Sequence, residues 1–167
     1  MAQDKLQKEF IELISSQQKL IHSICSLYFV SVDDRKDVFQ EIVLQLWKSY
    51  PAFKFQSKAS TWIYRIALNT IFSRLRKEKN KPGRQSLSEA ILQIPESETS
   101  GLETSIENLY QAISQLSEVD KAVIMLYLDE HSYDEMAHLL KMSRTNVSTR
   151  INRIKVRLFK LLKLSAT

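Results

Sequence analysis

The sequence predicts an all-α protein built from two small helical domains joined by a flexible linker, the C-terminal one a helix-turn-helix. Three observations carry this. The 167 residues include only two Gly and three Pro, whereas a β-rich chain needs a turn roughly every eight to twelve residues and draws on both. Apolar residues recur at helical spacing through both halves. Pro82, Gly83, Pro95 and Gly101 crowd into one stretch, with only Pro51 elsewhere. The hydrophobic share, 44%, is that of a folded chain and excludes global disorder.

Residues 1–80 read as four helices. Leu6, Phe10, Leu13, Ile14, Leu20, Ile21 and Ile24 place helix over 5–29, with Ser15-Ser16 marking a division into two. Val38, Phe39, Ile42, Val43, Leu46, Trp47 and Tyr50 place another over 34–50, with Asp33 or Asp34 near its start. Pro51 forces a loop through about Ser60, because proline disfavours helix in the residue before it. A long helix follows over Thr61 to Lys79.

Residues 81–102 read as the linker. Lys81-Pro82-Gly83-Arg84-Gln85-Ser86 breaks a helix by loss of a donor, by backbone freedom and by side-chain competition. The stretch 95–101 repeats the signal. Leu87, Ile91, Leu92 and Ile94 between them suit docking or a short helical turn. Residues 103–167 form the second domain. Ser117 and Ser132 open helices running to about Leu128 and to Leu140, each with acids in its first turn. Lys141-Met142-Ser143 is the turn, and Ser143 caps a helix to about Leu162. Ala137 lets two helices cross closely and Val147 fills the core between them, as in a helix-turn-helix. Lys141 stands where such turns commonly have Gly, so it must hold a left-handed conformation at a cost of about 1 kcal/mol, or the turn must adjust.

The net charge of +5 hides a strong polarity. Residues 54–81 carry eight bases against Glu78 alone, and 141–163 carry eight bases and no acid. Residues 103–140 hold Lys121 against eight acids. Several classes drop out. A single Cys25 in an apolar run fits a buried thiol and a reducing compartment. His22, His131 and His138 are too scattered for a metal cluster, and no catalytic constellation is visible. No cofactor, no metal and no enzymatic activity are therefore expected. There is no signal-peptide pattern and no apolar run near the ~18 residues of a membrane span. The expectation is a soluble, cytoplasmic protein, monomeric when free, with no membrane insertion.

Three surfaces carry chemistry. In the last helix Val147, Ile151, Ile154, Leu158 and Leu161 share one face. Thr145, Thr149 and Asn152 point the opposite way, flanked by Ser148 and Arg153, with Arg144, Asn146 and Arg150 beside them. Hydrogen-bonding groups at the N-terminal outer face and cations along the edges suit base edges and phosphates in a major groove. A basic solvated helix is the plainer alternative, and the capped pair, short turn and lack of acids argue against it. In the helix from Thr61, a polar stripe runs Arg65, Asn69, Ser73, Arg76, after a loop Phe53-Lys54-Phe55-Gln56-Ser57-Lys58. Aromatics, amides and cations together suit unstacked bases, although Trp62 and Phe53 fit a core role better. In the helix 34–50, Asp37, Glu41, Gln45 and Lys48 form a row, with Asp34 and Gln40 adjacent. It is either a solvated face or a docking surface for a basic protein.

These residues resemble a family. Asp37-Val38-Phe39-Gln40-Glu41 is similar to the D-x-x-Q-E segment of bacterial RNA polymerase sigma factors of the extracytoplasmic-function group. Phe53, then Thr61-Trp62-Ile63-Tyr64-Arg65-Ile66-Ala67 and Asn69, resembles their F…TW-[LI]-YRIA-x-N segment. Leu116-Ser117, Ser132 through Ala137, and Ser143…Val147…Arg150-Ile151 resemble their C-terminal helix-turn-helix. The resemblance implies that residues 1–80 are sigma region 2 and 103–167 sigma region 4. It implies that Asp37, Gln40 and Glu41 bind core RNA polymerase. Lys54, Phe55, Gln56, Ser57, Lys58, Arg65, Asn69, Ser73 and Arg76 would hold melted minus-10 promoter DNA. Arg144, Thr145, Asn146, Ser148, Thr149, Arg150, Asn152 and Arg153 would read the minus-35 element. It implies an anti-sigma factor as a partner. The competing reading is a helix-turn-helix repressor or activator that binds duplex DNA by itself.

Overall fold

The computed structural model describes residues 1–55, 57–80 and 101–165. The regular structure there is helical, and no strand occurs among the described residues. The chain divides into two compact units, Met1–Arg84 and Gln85–Thr167.

In the first unit, α1 (Ala2–Ser16) and α2 (Gln18–Tyr28) separate at Gln17. The Ser16 hydroxyl donates to the Leu13 carbonyl at 2.7 Å, competing with the helical ladder where the double serine suggested a break. Helix α3 spans Val32–Ser49, starting two residues before the expected position. Its cap is Ser31, whose hydroxyl accepts the Asp34 N–H at 3.4 Å. That leaves both aspartates in the first turn, where their charge favours the helix dipole. A single 3₁₀ turn, Tyr50–Ala52, contains Pro51. Helix α4 then runs Ala59–Lys79, entered when the Trp62 N–H bonds the Lys58 carbonyl at 3.2 Å.

Helices α2, α3 and α4 pack on one another. Ile21, Ile24 and Cys25 of α2, Ile42 and Leu46 of α3, and Ile63 and Ile71 of α4 are wholly buried. Each such aliphatic side chain contributes roughly 1.5–3 kcal/mol relative to an exposed one. Helix α1 closes the unit through Phe10, whose ring lies 5.0 Å from Trp47 and 5.3 Å from Tyr50. Burial holds the Cys25 thiol up at about 11, so it is inert at neutral pH.

The second unit contains α5 (Gly101–Ser114), α6 (Glu118–Leu128), α7 (Tyr133–Leu140) and α8 (Arg144–Ser165). Helix α5 begins inside the span read as linker, where the sequence pattern marks no helix. It buries Ala112 and Ile113, and Leu116 follows it into the core. The remaining linker positions, with Leu87, Ile91, Leu92 and Ile94, lie outside the described residues. Ser117, Ser132 and Ser143 cap α6, α7 and α8, accepting N–H bonds from Asp120, Glu135 and Asn146 at 3.2, 3.1 and 3.0 Å. Lys141 takes the left-handed conformation, φ 55° and ψ 48°. The Met142 N–H then reaches back to the Ala137 carbonyl at 3.0 Å, closing the turn. Val147 and Ile151 are wholly buried, and Ile154 nearly so, against a core that includes Met136 and Leu126.

Candidate nucleic-acid interface

Helix α8 presents its outer face because its inner face is fixed by burial. With Val147, Ile151, Ile154 and Leu158 inside, Thr145, Asn146, Thr149, Asn152 and Arg153 are exposed and Ser148 is half-buried. Arg144 is exposed and lies 3.6 Å from Asp134, an open pair that a phosphate can displace at little cost. Arg150 differs from the sequence expectation of a simple DNA-facing cation. Its guanidinium is half-buried, donating to Asp120 at 2.9 Å and to the Asn146 side-chain oxygen at 3.2 Å. Lys155 sits 4.6 Å over the Tyr127 ring, and its hydrogen bond with the Tyr127 hydroxyl pushes its amine up from the usual range. Arg157 donates to the Gln115 carbonyl at 3.2 Å.

The second surface lies on α4 and the loop before it. Arg65, Asn69 and Arg76 are exposed and Ser73 is half-buried, so the stripe forms as the spacing predicts. Lys54, Phe55, Ser57 and Lys58 are exposed, and Gln56 lies outside the described residues. The aromatics form a graded stack. Trp62 is buried, and Phe53 lies face to face on it at 4.4 Å with 12° between planes. Phe55 leans on Phe53 at 4.8 Å and is 68% exposed. Trp62 and Phe53 are therefore scaffold, and Phe55 is the ring of the three left exposed. Its φ of 53° is left-handed, which costs a non-glycine residue about 1 kcal/mol.

The third surface is the row on α3. Asp37 and Gln40 are exposed, and Glu41 is half-buried. Gln40 also borders an apolar groove of about 590 Å³ between α1 and α3, lined by Phe10, Phe39, Val43 and Trp47 among others. Sequence reasoning misses Arg74, which organises this row. It lies 3.7 Å from both Asp34 and Glu41, donates to Glu78 at 3.3 Å, and sits 5.5 Å over the Phe29 ring. One α4 cation thus gathers acids from α3. Arg74 falls between Ser73 and Leu75 and lies off the outward stripe, so spacing along α4 gives no sign that it crosses to α3.

These features define a class: a two-unit helical protein whose second unit is a helix-turn-helix with a basic outer face. Residues 13–81 match the profile for sigma-70 region 2, and residues 106–158 that for sigma-70 region 4. The chain is 29% identical over 160 residues to the ECF RNA polymerase sigma factor SigW of Bacillus subtilis, covering 88% of this chain and 85% of that one. It is 28% identical over 159 residues to the ECF RNA polymerase sigma-E factor of Escherichia coli, covering 88% and 83%. The solved sigma factor RpoE, in complex with the anti-sigma factor NepR from Bartonella quintana, shares the fold. Its TM-score is 0.74 at 20% identity, over 93% of this chain and 98% of that one. The chain belongs to the sigma-70 family, in its extracytoplasmic-function group, and is an alternative, DNA-binding sigma factor of transcription initiation. Sigma factors as a family are not enzymes. Among the described residues no helix is long and apolar enough to cross a membrane.

Proposed function

We propose that this chain binds core RNA polymerase through Asp37, Gln40 and Glu41, reads the minus-35 element with α8, and captures melted minus-10 DNA with α4 and its preceding loop. In this reading residues 1–80 act as region 2, 81–102 as the linker and 103–167 as region 4. Arg65, Asn69, Ser73 and Arg76 hold the displaced strand. Phe55 offers a stacking face, and Lys54, Ser57 and Lys58, with Gln56, neutralise and bond the backbone. Arg144, Thr145, Asn146, Ser148, Thr149, Asn152 and Arg153 meet base edges and phosphates. The protein works in the cytoplasm, as a monomer when free, and supplies no catalysis of its own.

The observation that supports this most is α8: its inner face is buried, its outer face carries exposed hydroxyl and amide groups, and no acid occurs from 141 to 163. Duplex opening costs a few kcal/mol per unstacked step. Capture of bases by the α4 surface offsets that cost. An anti-sigma factor is a further partner. The solved relatives RpoE and CnrH are in complex with the anti-sigma factor NepR and with the cytosolic domain of CnrY respectively.

Reconstituted transcription with core polymerase and genomic DNA tests the proposal. Promoter-selective transcripts should appear only when this chain is added. Tight duplex binding by the chain alone, without such transcripts, would favour a repressor. Within that assay Asn69→Ala should lower promoter opening, read by permanganate reactivity of unpaired thymines, more than it lowers polymerase affinity. Loss of holoenzyme assembly instead would show that the stripe has another role.

A further inference from the structure

Arg150 stands about two turns into the recognition helix, yet its charge is turned inward. Its Nη1 donates to Asp120 Oδ1 at 2.9 Å, a bond that crosses from α8 to α6. Its Nε donates to Asn146 Oδ1 at 3.2 Å, one turn back on α8. The Arg150 and Asp120 side chains are only 34% and 23% exposed, against 68% for Arg144 on the same helix. Asp120 is itself anchored, since its backbone N–H donates to the Ser117 cap at 3.2 Å. In a capping box the acid at this position would reach back to the cap residue. Here it reaches sideways to α8.

Three consequences follow from chemistry. A planar guanidinium bonded in two directions resists rotation of α8 about its axis. That rotation sets whether Thr145, Thr149 and Asn152 face outward together. The Asn146 oxygen is taken up by Arg150, so the NH2 end of its amide, a double donor, is what remains for an outside acceptor. The ion pair also withholds one cation from the phosphates.

We propose that Asp120 and Arg150 are positioning residues. Their clasp fixes the presentation of the recognition face, and so sets discrimination between sequences and not overall DNA affinity. The proposal rests on the reading of α8 as the minus-35 reader, and it moves Arg150 from DNA contact to support.

The test uses the full chain assembled with core polymerase. Its binding is measured over a salt series on a promoter the holoenzyme selects, and on the same fragment with the upstream element scrambled. Arg150→Met should reduce the intact-to-scrambled ratio roughly fivefold or more, the size of one mismatched base pair. It should leave the slope of log affinity against log salt unchanged, because no phosphate contact is lost. Asp120→Asn should release Arg150, tighten binding to the scrambled fragment, and steepen that slope by roughly 0.9, the value for one added phosphate contact. Thermal melts check that each variant is folded. Should Arg150→Met fail to fold, Asp120→Asn carries the test by itself through the ratio and the slope. A slope shallower by about 0.9 in Arg150→Met would make Arg150 a phosphate contact and overturn the proposal. Unchanged ratios in both folded variants would overturn it as well. Equal binding of the two fragments by the wild-type holoenzyme would overturn the reading of α8 itself, and the role of the clasp with it.

Discussion

Lys121 shows what a single residue can hide. In the sequence it is the lone base in an acidic stretch, and nothing in its spacing distinguishes a surface lysine from a buried one. In the folded chain it is 1% exposed. Burial pushes its amine down to about 8, with Glu118 acting against that change. An unfolded lysine titrates at about 10.4. Between about 8 and that value the unfolded chain therefore binds more protons than the folded one, so the second unit gains stability as pH rises through this window. Below it both states are protonated and the desolvation penalty stands in full. Lys121→Met keeps the volume and removes the charge. The variant should be the more stable at pH 7, by at most about 3 kcal/mol, since each tenfold loss of proton affinity on folding corresponds to about 1.4 kcal/mol and the interactions of the ammonium are lost with it. Urea unfolding of both proteins from pH 7 to 10 checks this: the advantage should shrink as pH rises. Cys25 has the opposite sign, its pKa raised to about 11, so its contribution falls as pH climbs toward that value. It is common to both proteins and cancels in the difference. Curves that stay parallel would mean the Lys121 charge is fully compensated where it lies.

At the scale of elements, most helices are legible in the sequence and most long-range pairings are not. Ser117 and Ser132 mark their helix starts because a hydroxyl followed by acids and an apolar period is a local signal, and Ser143 marks its own by the hydroxyl and the apolar period alone. Helix α5 escapes notice because its first turn, Gly101-Leu102-Glu103-Thr104, continues the composition of the linker. The outward stripe of α4 is legible, but the partners of Arg74 are not, since Asp34 and Glu41 lie on another helix. The same limit applies to Arg150 and Asp120, thirty residues apart. The Arg74 cluster changes how the α3 row should be tested. Reversing Glu41 would set a cation against Arg74 and disturb α3–α4 packing along with any docking. Asp37 is exposed and is the cleaner probe. Asp37→Arg should weaken core polymerase binding roughly tenfold or more if the row meets a basic partner, and the deficit should narrow as salt rises. Fluorescence anisotropy of labelled chain against core polymerase at two salt concentrations measures both. An unchanged affinity at low salt would return the row to an ordinary solvated face.

For the molecule as a whole, the charge of +5 is a small remainder between two basic faces and the acidic stretches beside them. One basic face lies in each compact unit. On the proposed division of labour, each unit grips one promoter element weakly. Binding of the first raises the effective concentration of the second, provided geometry lets both engage. A covalent tether alone sets only a maximum reach, whereas docking on polymerase would fix the separation and the rotational phase of the two units. These alternatives differ in their response to promoter spacing. Inserting five base pairs between the elements turns one about half a helical turn relative to the other, given roughly 10.5 base pairs per turn. With core polymerase present, that insertion should abolish opening, and inserting ten should restore part of it. The chain without polymerase should bind all three fragments weakly and alike. Tight, spacing-dependent binding by the chain alone would mean that its two units are already held in a fixed arrangement, and that polymerase is not what sets the ruler.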